Sequence, residues 1–120
     1  MKIAIAGAGI AGLASAALLA RQGHDVELYD QFPAPQPVGL GLMIQPVGLK
    51  VLSRLGLEDR ALAASSPIRQ VLGLTAEGRR ILDLTYAELR PDASGFAIQR
   101  AALFDMLLDA ARSAGAELVP

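Results

Sequence analysis

One stretch constrains the chain more than any other: a short apolar run, a glycine-punctuated turn, and an Ala/Leu-rich segment leading to a second apolar run. It reads Lys2-Ile3-Ala4-Ile5-Ala6, then Gly7-Ala8-Gly9-Ile10-Ala11-Gly12, then residues 13–22 up to Gly23, then Val26-Glu27-Leu28-Tyr29-Asp30. The order is strand, turn, helix, turn, strand. Ile3 to Ala6 are uniformly apolar, as expected of a parallel strand covered on both faces. Gly7 permits a sharp turn out of that strand, Gly9 leaves backbone open to a close ligand, and Gly12 lets the helix approach the sheet. Ala16 and Ala20 continue the small face begun by Gly12, and Gly23 falls at the position that ends a helix.

The helix opens with unpaired N–H groups and the positive end of its dipole, which suits a phosphate. The second strand ends in Asp30, 18 residues after Gly12, where an acid can accept hydrogen bonds from a ribose hydroxyl. In this full βαβ setting the glycines predict a dinucleotide site. Two other readings are weaker. A secretory leader would need more than Lys2 as its basic region, and cleavage after Ala14-Ser15-Ala16 would strand the Val26 run without its partner. The run is also too short and too interrupted to span a membrane.

Composition narrows the partners. Hydrophobic residues make up 52% of the 120 and charged residues 19%, which excludes disorder. The 11 basic and 12 acidic residues are dispersed, so nucleic acid is not an expected partner. No cysteine is present, which fits a cytoplasmic protein. The lone histidine, His24, lies in a turn and has no second histidine with which to share a metal, so none is expected.

Beyond Asp30, prolines at 33, 35 and 37 predict an extended loop. In Val38–Pro46, glycines at 39 and 41 are compatible with a bulged strand or with backbone lying against a flat ligand; the residues alone leave the two level. A helix is expected over 48–55, ended by Gly56, with another turn or two up to Ala64 and a break at Ser65-Ser66-Pro67. Residues 68–85 read as a hairpin turning at 76–79, and 86–94 as loop. Phe96-Ala97-Ile98 is a short strand. Arg100 opens a helix whose stripe is Leu103, Phe104, Leu107, Leu108 and Ala111. A last strand covers 116–119. By itself Arg100 reads as an exposed helix-start residue.

Four segments together resemble the N-terminal third of the class A FAD-dependent monooxygenases, the group that includes p-hydroxybenzoate hydroxylase. They are Gly7–Leu13; Val26–Asp30; Pro37–Gly41 through Pro46 with Leu52-Ser53-Arg54-Leu55-Gly56-Leu57; and Ile98-Gln99-Arg100 with Leu103 and Leu107. The resemblance implies an α/β fold: a Rossmann-like βαβ FAD-binding unit (1–30) with an inserted helix and β-hairpin in an incomplete doubly wound sheet. The hairpin at 68–85 would belong to a substrate-domain layer, and 96–119 would return to the FAD-binding sheet.

It also implies cofactor-binding roles. Gly7, Gly9, Ala11 and Gly12 would line the FAD pyrophosphate, Asp30 would hold the adenosine ribose, Gly39 and Gly41 would lie near the flavin, and Arg100 would reach toward the phosphates. NAD(P)H would be the reductant, and reduced flavin would activate O2 for transfer to a small, often aromatic substrate. The chain departs from the family where Asp30-Gln31 replaces the usual Glu-Arg or Glu-Lys, and where Gln45-Pro46-Val47 replaces a Pro-Asn. The family's Gly-Asp motif would fall beyond residue 120.

No acid–base or nucleophile constellation is present, so no catalytic residue is assigned. The chain alone is expected to turn over no substrate and to bind FAD weakly or not at all, as a fragment or a truncated product. It would be completed by a C-terminal portion or a homo-oligomeric partner. The alternatives are another FAD-dependent oxidoreductase of this fold, an NAD(P)-dependent Rossmann dehydrogenase and a non-catalytic truncated remnant.

Overall fold

The computed structural model describes residues 1–119. The elements are β1 (Lys2–Ala6), α1 (Ile10–Arg21), β2 (Asp25–Tyr29), β3 (Gly41–Ile44), α2 (Pro46–Arg54), α3 (Glu58–Ala63), β4 (Ser65–Ile68), β5 (Gln70–Leu74), β6 (Arg80–Thr85), a 3-10 turn at Tyr86–Glu88, β7 (Gly95–Gln99), α4 (Arg100–Ser113) and β8 (Glu117–Val119).

They form three sheets. The first is parallel, in the order β1-β2-β8, with Ile3 opposite Val26, Ile5 opposite Leu28, and Leu28 opposite Leu118. The second is antiparallel, β3-β7-β4, and the third is the β5–β6 ribbon. The α/β class and the βαβ unit expected from the glycine turn are both present.

Period-two alternation explains the parallel sheet. Val26 and Leu28 are buried, and Ile5 and Leu118 pack against the same core. Helices α1 and α4 lie together over this face. Leu13, Ala16 and Ala17 of α1 are fully buried, as are Leu107 and Ala111 of α4 to within 1%. Each large apolar side chain so buried contributes roughly 1.5–3 kcal/mol. The alanines do something else: they let the helix axis come close.

The other face of β1 departs from expectation. Ala4 and Ala6 are exposed, and beside them Lys2 pairs with Glu27 at 2.6 Å while the Tyr29 hydroxyl donates to Glu27 at 2.7 Å. That ion pair and hydrogen bond hold Glu27 below and Lys2 above their ordinary titration ranges. The covered face is the one that right-handed crossovers place both helices on.

Three further differences have local causes. Helix α2 starts at Pro46 rather than Gly48, since proline is preorganised for the first helical position. Ser65-Ser66-Pro67, read as a break, forms an edge strand on β7 with Pro67 opposite Phe96; proline is tolerated there because an edge strand need not donate on its outer side. The strand at 96–98 joins the antiparallel sheet, between β3 and β4, so the return to the parallel sheet is made by β8 alone. The hairpin forms over β5 and β6 as expected.

Tyr86, read as loop, is 3% exposed. Its hydroxyl donates to Gln45 Oε1 at 2.7 Å and lies 3.5 Å from Met43 Sδ. It ties the ribbon's exit to the β3–α2 junction, and the missing Cβ of Gly95 makes room for it: a methyl there would sit 2.7 Å from the hydroxyl.

Candidate cofactor site

The site is built at the carboxyl ends of the parallel strands, where ligands bind in open α/β sheets. Gly7 extends the β1–β2 ladder by one rung, donating to the Tyr29 carbonyl at 2.7 Å, then turns with φ +100°. Gly9 caps α1 in extended conformation, and its carbonyl accepts from Leu13 N–H at 2.9 Å. A Cβ on Gly12 would stand 1.9 Å from the Gly7 carbonyl oxygen. Close packing of helix start against turn therefore depends on that missing methyl.

The backbone donors divide cleanly. The Gly7 N–H goes to Tyr29, and the Ala8 N–H goes to Asp30 Oδ2 at 2.5 Å. Among the described residues, the N–H groups of Gly9, Ile10, Ala11 and Gly12 have no hydrogen-bond partner. Those four are the ones a bound anion can use.

Asp30 occupies the end of β2. Its Oδ1 accepts from Phe32 N–H at 3.0 Å. The N–H groups of Phe32 and then Ala8, with help from Gln31, hold its carboxyl below the ordinary carboxylate range, against an opposing cost of burial.

Arg100 begins α4, and its N–H bonds the Leu40 carbonyl at 3.1 Å. Its Nε is buried with no hydrogen-bond partner. The guanidinium lies over Gly39, whose φ is +102° and whose Cβ, were it present, would be 3.0 Å from Nε. Gly39 thus acts by making room for Arg100. Gly41 opens β3 in register with Gln99, and a Cβ there would press on the Ile98 carbonyl at 3.3 Å.

Gly9, Asp30 and Arg100 line one cavity of about 130 Å³ with Ala8, Phe32, Gln36, Val38 and Phe104. Asp30 also borders a cavity of about 330 Å³ containing Phe32, Pro33, Pro35, Arg112 and Val119. It borders another, of about 400 Å³, with Gly7 and Tyr29. Ala11 faces away from these, into a mostly apolar groove of about 570 Å³ shared with Ile10, Ala14, Met43, Gln45 and Val47.

The structure therefore brings Gly7, Gly9, Gly12, Asp30 and Arg100 to one sheet edge, with Gly39 behind Arg100. It sets the Ala11 side chain and Gly41 apart. Phe32 and Arg112 were not singled out as site residues from the sequence, and Phe104 was read only as part of the α4 stripe. Phe32 was visible only as an aromatic inside the proline loop, and Arg112 as an ordinary position of α4. Among the described residues no cluster of His, Cys, Asp or Glu could hold a metal, and no helix is long and apolar enough to cross a membrane.

A βαβ unit with free N–H groups at its helix start, an acid at the second strand's end and an unpartnered cation opposite defines a dinucleotide-binding protein. The chain belongs to the family described as FAD binding domain, which matches residues 1–119. It is 47% identical over 58 residues to a 6-hydroxynicotinate 3-monooxygenase of Bordetella bronchiseptica, covering 48% of this chain and 15% of the relative. It is 39% identical over 71 residues to a 3-amino-4-hydroxybenzoate 2-monooxygenase of Streptomyces cremeus, covering 59% and 18%. The tetrameric form of 2-methyl-3-hydroxypyridine-5-carboxylic acid oxygenase superposes with a TM-score of 0.81 at 26% identity, over 98% of this chain and 30% of that one. The chain thus spans less than a third of the length of these proteins.

Proposed function

We propose that these residues bind FAD at the carboxyl edge of the parallel sheet and serve a monooxygenase that oxidises a small, aromatic substrate at the expense of NAD(P)H in the cytoplasm. The observation that carries the reading is the convergence of complementary groups on one edge. Four free N–H groups run from Gly9 to Gly12, and Arg100, whose Nε is buried without a partner, lines the same cavity as Asp30. A diphosphate can take the free N–H groups and the Arg100 charge together. The match to the FAD binding domain family and the monooxygenase relatives supports FAD over other dinucleotides.

In this reading the pyrophosphate lies on the start of α1, held by the Gly9–Gly12 backbone. Arg100 supplies a cation from the far side, and Asp30 accepts from the adenosine ribose. Bound FAD would supply electron transfer from NAD(P)H and activation of O2. This chain's residues bind and orient it and carry no acid–base pair of their own. The apolar hairpin, with Leu72, Leu74 and Ile81 exposed, serves as part of a substrate-side layer completed by further chain or by an oligomeric partner.

Titration of the full-length protein with FAD and with NAD, followed by flavin fluorescence and calorimetry, tests the reading. Saturable FAD binding is expected, with NAD unable to displace it. NAD binding without FAD binding would replace the monooxygenase with a nicotinamide dehydrogenase, and binding of neither would refute the site.

A further inference from the structure

Ala8 is 3% exposed, and its N–H has one partner, the Asp30 carboxylate at 2.5 Å. The second oxygen of the same carboxylate takes the Phe32 N–H at 3.0 Å. Asp30 therefore fastens the turn after β1 to the loop after β2. A buried N–H deprived of its acceptor must find another, and the turn, no longer fastened to the loop after β2, is then free to move. That would carry Gly9 with it and disperse the N–H groups that share a direction at the start of α1.

We infer that Asp30 is a positioning residue that holds the glycine turn in its ligand-ready form before any cofactor arrives. This role is separate from its contact with ribose. Each carboxylate oxygen has two acceptor sites, so the latch and a ribose contact are compatible. The shorter Asp, in place of the family's Glu, keeps the carboxylate near the turn. The inference rests on the FAD reading only for the identity of the ligand.

Two measurements on the full-length protein separate the latch from a pure ribose contact. In the cofactor-free state, amide exchange at Ala8 should be at least about tenfold faster in Asp30→Ala than in the parent, with the Leu107 amide of α4 unchanged. Binding of FAD and of its 2′,3′-dideoxyadenosine analogue, compared as a cycle, should show Asp30→Ala weakening both ligands about tenfold or more. Asp30→Asn, which keeps one oxygen, should fall between parent and Asp30→Ala, and it stands in if Asp30→Ala does not fold.

Unchanged Ala8 exchange, or undiminished binding of the dideoxy analogue, would reduce Asp30 to a ribose acceptor and overturn the inference. A parent protein that binds no FAD would sink the cofactor reading instead and leave the exchange rates to decide the latch.

Discussion

The carbonyl oxygen of Gly7 occupies the space that a Cβ on Gly12 would need, at 1.9 Å from it. Backbone blocks backbone here, so no rotamer change relieves the clash. Gly12→Ala must push α1 off the turn, at a cost in the overpacking range of about 1–3 kcal/mol or above. We expect the melting temperature of the cofactor-free protein to fall by roughly 5 °C or more, together with loss of flavin on purification. Retention of both would show that the helix can be displaced without consequence.

Arg100 should affect stability and binding in opposite directions. Its Nε is buried without a partner, so Arg100→Leu removes an unsatisfied group and should leave the cofactor-free protein as stable or more stable. The same change removes a charged donor from the cavity shared with Gly9 and Asp30, and FAD affinity should drop roughly 10- to 100-fold. Thermal melting with and without FAD reads both. Gly39→Ala, which would crowd Nε at 3.0 Å and force a side chain into φ +102°, should lower stability by about 1–2 kcal/mol.

Tyr86→Phe should cost about 1 kcal/mol, the worth of one hydrogen bond to Gln45, read as a lower denaturant midpoint. Gly95→Ala should cost more, because its Cβ would meet both the hydroxyl, at 2.7 Å, and the ring carbon Cζ, at 2.9 Å, of a buried side chain. In the Tyr86→Phe background the penalty should shrink without vanishing, since the ring remains.

Acid should loosen the glycine turn. Asp30 titrates below its ordinary range because Phe32 and Ala8 donate to its charged form. A depressed folded value gives stability that is complete above the unfolded pKa of about 3.9. That stability is lost as pH falls through the lower folded value. Arg100 and Arg112 share cavities with Asp30, and Glu27 shifts in the same direction. Melting temperatures of parent and Asp30→Asn measured from neutral pH down past the carboxylate range should differ most at neutral pH and converge at the acid end.

Much of this was legible in residue order. The glycine spacing, the acid 18 residues on, and the 3.6 period of Leu103, Phe104 and Leu107 are local signals. Each element they imply formed within a residue or two, because period and glycine geometry act over one or two turns of chain. Ser65-Ser66-Pro67 was missed as a strand because its reason for being extended is β7, some thirty residues away. Tyr86 was missed because a single aromatic has no period; only the gap left by Gly95 marks it.

The candidate site divides along the same line. Sequence alone determined that a strand, a glycine turn and a helix open this chain, since three glycines and an acid suffice to define backbone that a phosphate can reach. Which N–H groups stay free was settled by the tertiary structure, as were the Asp30 hold on Ala8 and the Arg100 Nε left unpartnered over Gly39. Those are matters of distance between segments 20 to 60 residues apart, and spacing along a chain carries no information about distance until the sheet has brought its strand ends together.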